Sequence, residues 1–268
     1  MIFLPSLIIS HFFKLWNVIL LCVIIKVMAN TLFIGKDLPD GLEIAESFSN
    51  SGRKVFGVCK SEMDAANFEA EKIVASTWNR ASAVSTLSLL IKAETELGNI
   101  DEVVFYFDAN YFASKFELDK TEEIANSVDY MITGYFYAVG ELLKRIDQKK
   151  EKITVSFLLR DYPSKYDVCS AKSAAIVPAS NIVSAAKQAF ISMAENFSTN
   201  VSDKDFISVL LAKCSFGNDI YKNEKLIGDW LCESLTTISA AKNHQSVKNA
   251  GTWNKAGSKV STGFMLFK

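Results

Sequence analysis

The chain has 268 residues, 49% of them apolar, with 12 Gly, 4 Pro and a formal net charge of −1 from 29 basic and 30 acidic residues. That composition bounds one compact domain with a large core, and its balanced charge gives no field to gather a polyanion, which argues against nucleic acid as a partner. Five scattered cysteines (Cys22, Cys59, Cys169, Cys214, Cys232), no C-x-x-C pair and only His11 and His244 argue against a disulfide scaffold or a metal site, and fit reduced thiols in the cytoplasm.

Residues 1–29 form an apolar extension, "MIFLPSLIISHFFKLWNVILLCVIIKVMA", with Lys14 and Lys26 as its firm charges. The run from Ile2 to Ile25 is long enough to span a bilayer but carries Lys14 near its middle, at a cost of a few kcal/mol. A signal or membrane anchor is one reading. The other, which we favour, is that Met28 is the start and that the domain, residues 30–268, opens at once on a core strand. A membrane location is expected only if residues 1–27 belong to the protein.

From there short apolar runs alternate with amphipathic stretches. Strands are predicted at 31–35, 54–58, 72–76, 102–107, 152–159 and 206–212, each β-branched or aromatic. Their apolarity is continuous rather than alternating, as in strands buried on both faces of a parallel sheet. Helices are predicted at 41–51, stopped by Gly52, at 81–97, capped by Asn79, and at 121–147, 179–198 and 219–239. "STGFMLFK", 261–268, reads as a last strand. This alternation predicts a single α/β domain, a doubly wound parallel sheet of the Rossmann-like kind.

Local fragments carry a further likeness. Gly35, Gly41 and Gly52 are spaced as the first, third and helix-ending glycines of a T-G-x-x-x-G-x-G turn. "TGYFYAVGELL" at 133–143, "VPASNIVSAAKQAFISMAENF" at 177–197 and "STGFMLF" near the end follow in order. Together they resemble the short-chain dehydrogenase/reductase superfamily over nearly all of residues 30–268. The resemblance implies an NAD(P)-binding Rossmann domain and an oxidoreductase with an Asn, Ser, Tyr and Lys catalytic group, in which tyrosine exchanges a proton with substrate.

The residues depart from that pattern where the chemistry lies. Pro39 stands at the middle glycine, without an N–H and with a ring where a pyrophosphate would approach, and Asp37 and Asp40 add negative charge. Phe105, Tyr106, Phe107 and Asp108 replace the small N-N-A-G floor of the ribose site, the two phenylalanines reading as core. Gly35, Lys36, Gly41, Lys60 and Asp108 remain as candidate cofactor contacts. Met131 falls at the asparagine, Leu158 or Leu159 at the serine, Val183 at the tyrosine and Lys187 at the lysine, and Ala212 and Lys213 at the P-G that closes over nicotinamide. A second register puts Lys172 at the lysine and Val168 at the tyrosine. Tyr166 and Lys172, at Tyr-x5-Lys spacing, are the candidates that would rescue catalysis.

The helices at 121–147 and 179–198 carry more apolar surface than one sheet face covers, and the resemblance implies a homodimer through them. Two functions follow. One is a non-catalytic binding or scaffolding homologue, with no cofactor or weak NAD(P) binding, acting on an unknown protein or small-molecule partner. The other is an NAD(P)-dependent oxidoreductase with a non-standard active site.

Overall fold

The computed structural model describes residues 29–61, 68, 73–116, 120–162, 181–241 and 251–260. The strands are β1 Asn30–Ile34, β2 Lys54–Cys59, β3 Ile73–Thr77, β4 Glu102–Asp108, β5 Ile153–Arg160, β6 Ile207–Cys214 and β7 Trp253–Lys255. All pair in parallel, in the order β3-β2-β1-β4-β5-β6-β7. The order reverses between β1 and β4, which opens a crevice at the carboxyl ends of those strands.

The helices are α1 Leu42–Asn50, α2 Ala83–Leu97, α3 Ala109–Lys115, α4 Thr121–Val128, α5 Gly134–Lys149, α6 Asn181–Asn200 and α7 Glu224–Ala240. They divide over the two faces of the sheet, and the strands serve both. Leu32, Ile34, Phe105, Phe107 and Phe157 point into one core with Leu90 of α2, Tyr135 of α5 and Phe190 of α6. Phe33, Val104, Tyr106, Leu158 and Leu210 point into the other with Phe48 of α1 and Leu231 of α7. Burying each such aromatic or aliphatic side chain contributes roughly 1.5–3 kcal/mol, which is why the strands tolerate no polar alternation. The exception is structural: buried Glu102 takes a two-pronged bond from Arg53, at 2.7 and 3.0 Å, and one from Thr31 at 2.8 Å, tying β1, β2 and β4 together.

Four local expectations change. The helix predicted at 121–147 is broken by a π-helical segment, Asp129–Thr133, between α4 and α5. There the Tyr130 carbonyl accepts from Arg80 Nη1 at 3.2 Å, and Gly134 lies so close to Arg80 that a Cβ would stand 2.8 Å from its Cβ. The cap of α2 is Ser82, whose Oγ accepts from Ser85 N, while Asn79 accepts from Ala81 N. The last helix starts at Glu224, capped by Asn223, because residues 219–222 turn. Helix α3 was not foreseen; Asp108 caps it by accepting from the Asn110 and Tyr111 N–H groups at 3.0 and 3.2 Å. The strand predicted at 261–268 and residues 1–28 lie outside the described residues. Among the described residues no helix is long and apolar enough to cross a membrane.

Candidate functional site at the crevice between β1 and β4

The turn that leaves β1, residues 35–41, lines this crevice. Gly35 has φ +153°, and a Cβ on it would stand 2.1 Å from the Tyr106 carbonyl oxygen of β4. Gly41 is similarly crowded, by the Lys36 carbonyl at 2.8 Å. Both motif glycines therefore serve close backbone packing. Leu38 is fully buried, its N–H donates to Val58 O at 2.8 Å, and Gly57 of β2 leaves room for its side chain. The turn is thus laid along β2, with exposed Pro39 at its tip.

A pyrophosphate at such a turn needs free N–H donors at the start of the helix. Here Gly41 N donates to Asp37 O and Leu42 N to Pro39 O, each at 3.0 Å. Those donors are spent within the turn, and Glu43 places a carboxylate in the first turn of α1. Two of the donors that a pyrophosphate would use are thereby engaged.

Two ion clusters occupy the rest of the crevice. On the side of α2 and α5, Asp37 is only 3% exposed; its Oδ1 accepts from Arg80 Nη2 at 2.6 Å and its Oδ2 from Lys115 Nζ at 3.1 Å. Arg80 Nη2 also donates to the Gly35 carbonyl, and its guanidinium lies 4.5 Å from the Trp78 ring centre and 4.8 Å from that of Tyr130. Burial alone would raise the Asp37 carboxyl, but the charges of Arg80 and Lys115 outweigh it and hold the pKa below its ordinary value. On the side of α7, Lys36 and Arg160 share Glu224 Oε1, at 2.6 and 2.7 Å, with Asp108 Oδ2 at 3.6 and 3.2 Å. Adjacent residues Lys36 and Asp37 thus anchor in separate clusters.

Each described candidate can now be located. Gly35 and Gly41 hold backbone contacts, Lys36 and Asp108 belong to the second cluster, and Lys60 faces Asp40 at 3.4 Å in an exposed pair. Phe105 and Phe107 are core, Phe105 stacking on Phe157 with ring centres 5.1 Å apart. Met131, Leu158, Leu159 and Val183 are buried in the two apolar cores. Lys187 of α6 pairs with Asp161 at 3.0 Å, as does Lys213 through the other oxygen. Tyr166 and Lys172 lie outside the described residues. Among the described residues no group of His, Cys, Asp and Glu is placed to hold a metal ion.

Arg80, Lys115, Arg160 and Glu224 were missed in the sequence. Arg80 had a signal, being the only charge between Lys72 and Lys92. "YFASK", 111–115, also has Tyr-x3-Lys spacing, and Lys115 Nζ donates to the Tyr111 hydroxyl at 2.6 Å. Burial first, then the carboxylates of Asp37 and Asp40, push the Tyr111 phenol far above its ordinary value.

No protein-family model matches the chain, and no curated protein does. Solved structures do. A short chain dehydrogenase from Mycobacterium smegmatis superposes with a TM-score of 0.62 at 11% identity, over 88% of this chain and 94% of that one. A 3-ketoacyl-(acyl-carrier-protein) reductase from Brucella melitensis, complexed with NADH, gives 0.56 at 15% identity, over 85% and 96%. A short chain dehydrogenase/reductase from Burkholderia phymatum, in complex with NAD, gives 0.53 at 12% identity, over 84% and 83%. The chain has the short-chain dehydrogenase/reductase fold. Within that fold the crevice between β1 and β4 is the dinucleotide position, and here it carries Arg80, Asp37, Lys115 and the cluster around Lys36.

Proposed function

We propose that this chain is a non-catalytic binding or scaffolding protein on the short-chain dehydrogenase/reductase fold. The observation that carries the reading is Arg80: its buried guanidinium sits on the Gly35 carbonyl, paired with Asp37 and flanked by Trp78 and Tyr130. A cofactor would have to displace a desolvated ion pair before making any contact of its own, a cost of several kcal/mol. Val183, Met131 and Leu158, buried and apolar, have no proton to exchange. Among the described residues Cys214 and Cys232 are buried thiols, which suits a reducing compartment such as the cytoplasm.

The second reading, an NAD(P)-dependent oxidoreductase with a non-standard active site, leans on Lys187 and on the cofactors named with two of the similar structures. Thermal unfolding with millimolar NADH or NADPH separates the two. A ligand at 100 times its Kd stabilises by about 2.7 kcal/mol, a rise in Tm of roughly 5–10 °C for a domain of this size. We expect no rise, and a saturable one would transfer the case to the oxidoreductase.

A homodimer through α5 and α6 belongs to the same proposal. The outward residues of α6, Ser184, Ala185, Gln188, Ser192 and Asn196, are exposed and uncharged, and Phe136 of α5 is 50% exposed. Both charges of α6 are engaged within the chain, Lys187 by Asp161 and Glu195 by the Trp253 indole. Helices that present small uncharged surfaces can pack closely on a second copy in a self-complementary interface. Light scattering is expected to give twice the mass of the chain, and Phe136→Asp to give the monomer. A monomeric wild type would defeat the dimer.

A further inference from the structure

The turn after the first strand of an open α/β sheet is a place where anions are held, because helix N–H groups and cations converge there. In this chain the Gly41 and Leu42 N–H groups are spent within the turn, but the cations have converged. Arg80 arrives from the end of β3 and Lys115 from α3, and each takes one oxygen of the same carboxylate, at 2.6 and 3.1 Å. The Tyr111 hydroxyl accepts from Lys115 at 2.6 Å, and the Lys115 ammonium also lies 4.5 Å from the Tyr130 ring centre. The arrangement is a two-cation, aromatic-walled anion site with a carboxylate in it. Given the reading above that the crevice is filled by the chain's own side chains, we propose that this turn is an oxyanion site whose resident anion is the Asp37 side chain, and that removing the side chain yields a site for a free oxyanion.

The chemistry of the surroundings supports it. Without Asp37, buried Arg80 and half-buried Lys115 lose the carboxylate that pairs with both. Asp40 is exposed and paired with Lys60, while Asp108 and Glu224 are committed to Lys36 and Arg160. A buried guanidinium and a half-buried ammonium that lack their anion are disfavoured, so a small oxyanion that reaches them is stabilising. Truncation at the β-carbon frees space of carboxylate size, so formate should bind best, then acetate, then inorganic phosphate.

The test is anion rescue of Asp37→Ala, followed by thermal unfolding at constant ionic strength with chloride as the reference. The variant is expected to melt well below wild type and to recover at least half of the lost Tm, saturably, in formate. Wild type and the double variant D37A/R80M, which lacks the main cation, are expected not to respond. If Asp37→Ala does not fold in chloride, refolding is scored in the same anion series. Folding in formate and not in chloride supports the proposal, and failure in every anion overturns it. A folded Asp37→Ala without a saturable response, or a double variant that responds equally, also overturns it. NADH stabilisation of the wild type would defeat the non-catalytic reading and leave the rescue standing; absent rescue with no NADH response would do the reverse.

Discussion

Gly35→Ala is expected to cost about 4 kcal/mol or more, a fall in Tm of roughly 10 °C or more, read by thermal or urea unfolding. The added methyl would lie 2.1 Å from the Tyr106 carbonyl oxygen, in the backbone of the central strand β4, and φ +153° is a conformation that L side chains rarely adopt. Relief requires β1 and β4 to part at their carboxyl ends. That movement breaks the bond from the Tyr135 hydroxyl to the same carbonyl, 2.6 Å, and shifts the Gly35 carbonyl that receives Arg80. Should Gly35→Ala melt with the wild type, close packing is not what requires a glycine there.

That expectation bears on how far the sequence could be read. Gly35, Gly41 and Gly52 signalled the fold correctly, because the β1-turn-α1 geometry needs them whether or not a phosphate is present. The strands were legible because burial on both faces leaves long apolar runs, as in "EVVFYF". The break at Asp129–Thr133 was not, since "DYMIT" continues a helical pattern and the Arg80 that bonds the Tyr130 carbonyl there lies 50 residues away in the chain. Strand β7 was equally silent, being three residues long and fixed by pairing with β6. At the site, the departures from the family pattern could be read position by position, at Pro39 and Val183. What fills the crevice could not. Asp37 meets Arg80 43 residues away and Lys115 78 away, and Lys36 meets Glu224 188 away, and no spacing rule reaches that far.

Arg80→Ala is expected to cost about 3–5 kcal/mol at pH 7, because it leaves the Asp37 carboxylate buried with Lys115 alone and strips the bonds to the Gly35 and Tyr130 carbonyls. The pH dependence distinguishes this from simple lost packing. In the wild type the folded-state pKa of Asp37 is depressed, so the stability it contributes is in place above the unfolded value near 3.9 and is lost as pH falls through the folded value. In Arg80→Ala the burial that opposes ionisation has lost its main counterweight, so the folded pKa moves upward and protonation relieves the strained carboxylate. The gap between variant and wild type should therefore narrow as pH falls into the ordinary carboxylate range, whereas a packing defect would leave it constant. Replacing both partners, as in R80M/D37L, removes charge and counter-charge together and is expected to restore most of the stability, since buried ion pairs exchanged for apolar groups of similar volume are often neutral. Urea unfolding across that pH range measures all three proteins. A cost below about 1 kcal/mol for Arg80→Ala would assign the guanidinium the energetics of an exposed salt bridge, and a side chain so weakly held would yield the crevice to a dinucleotide.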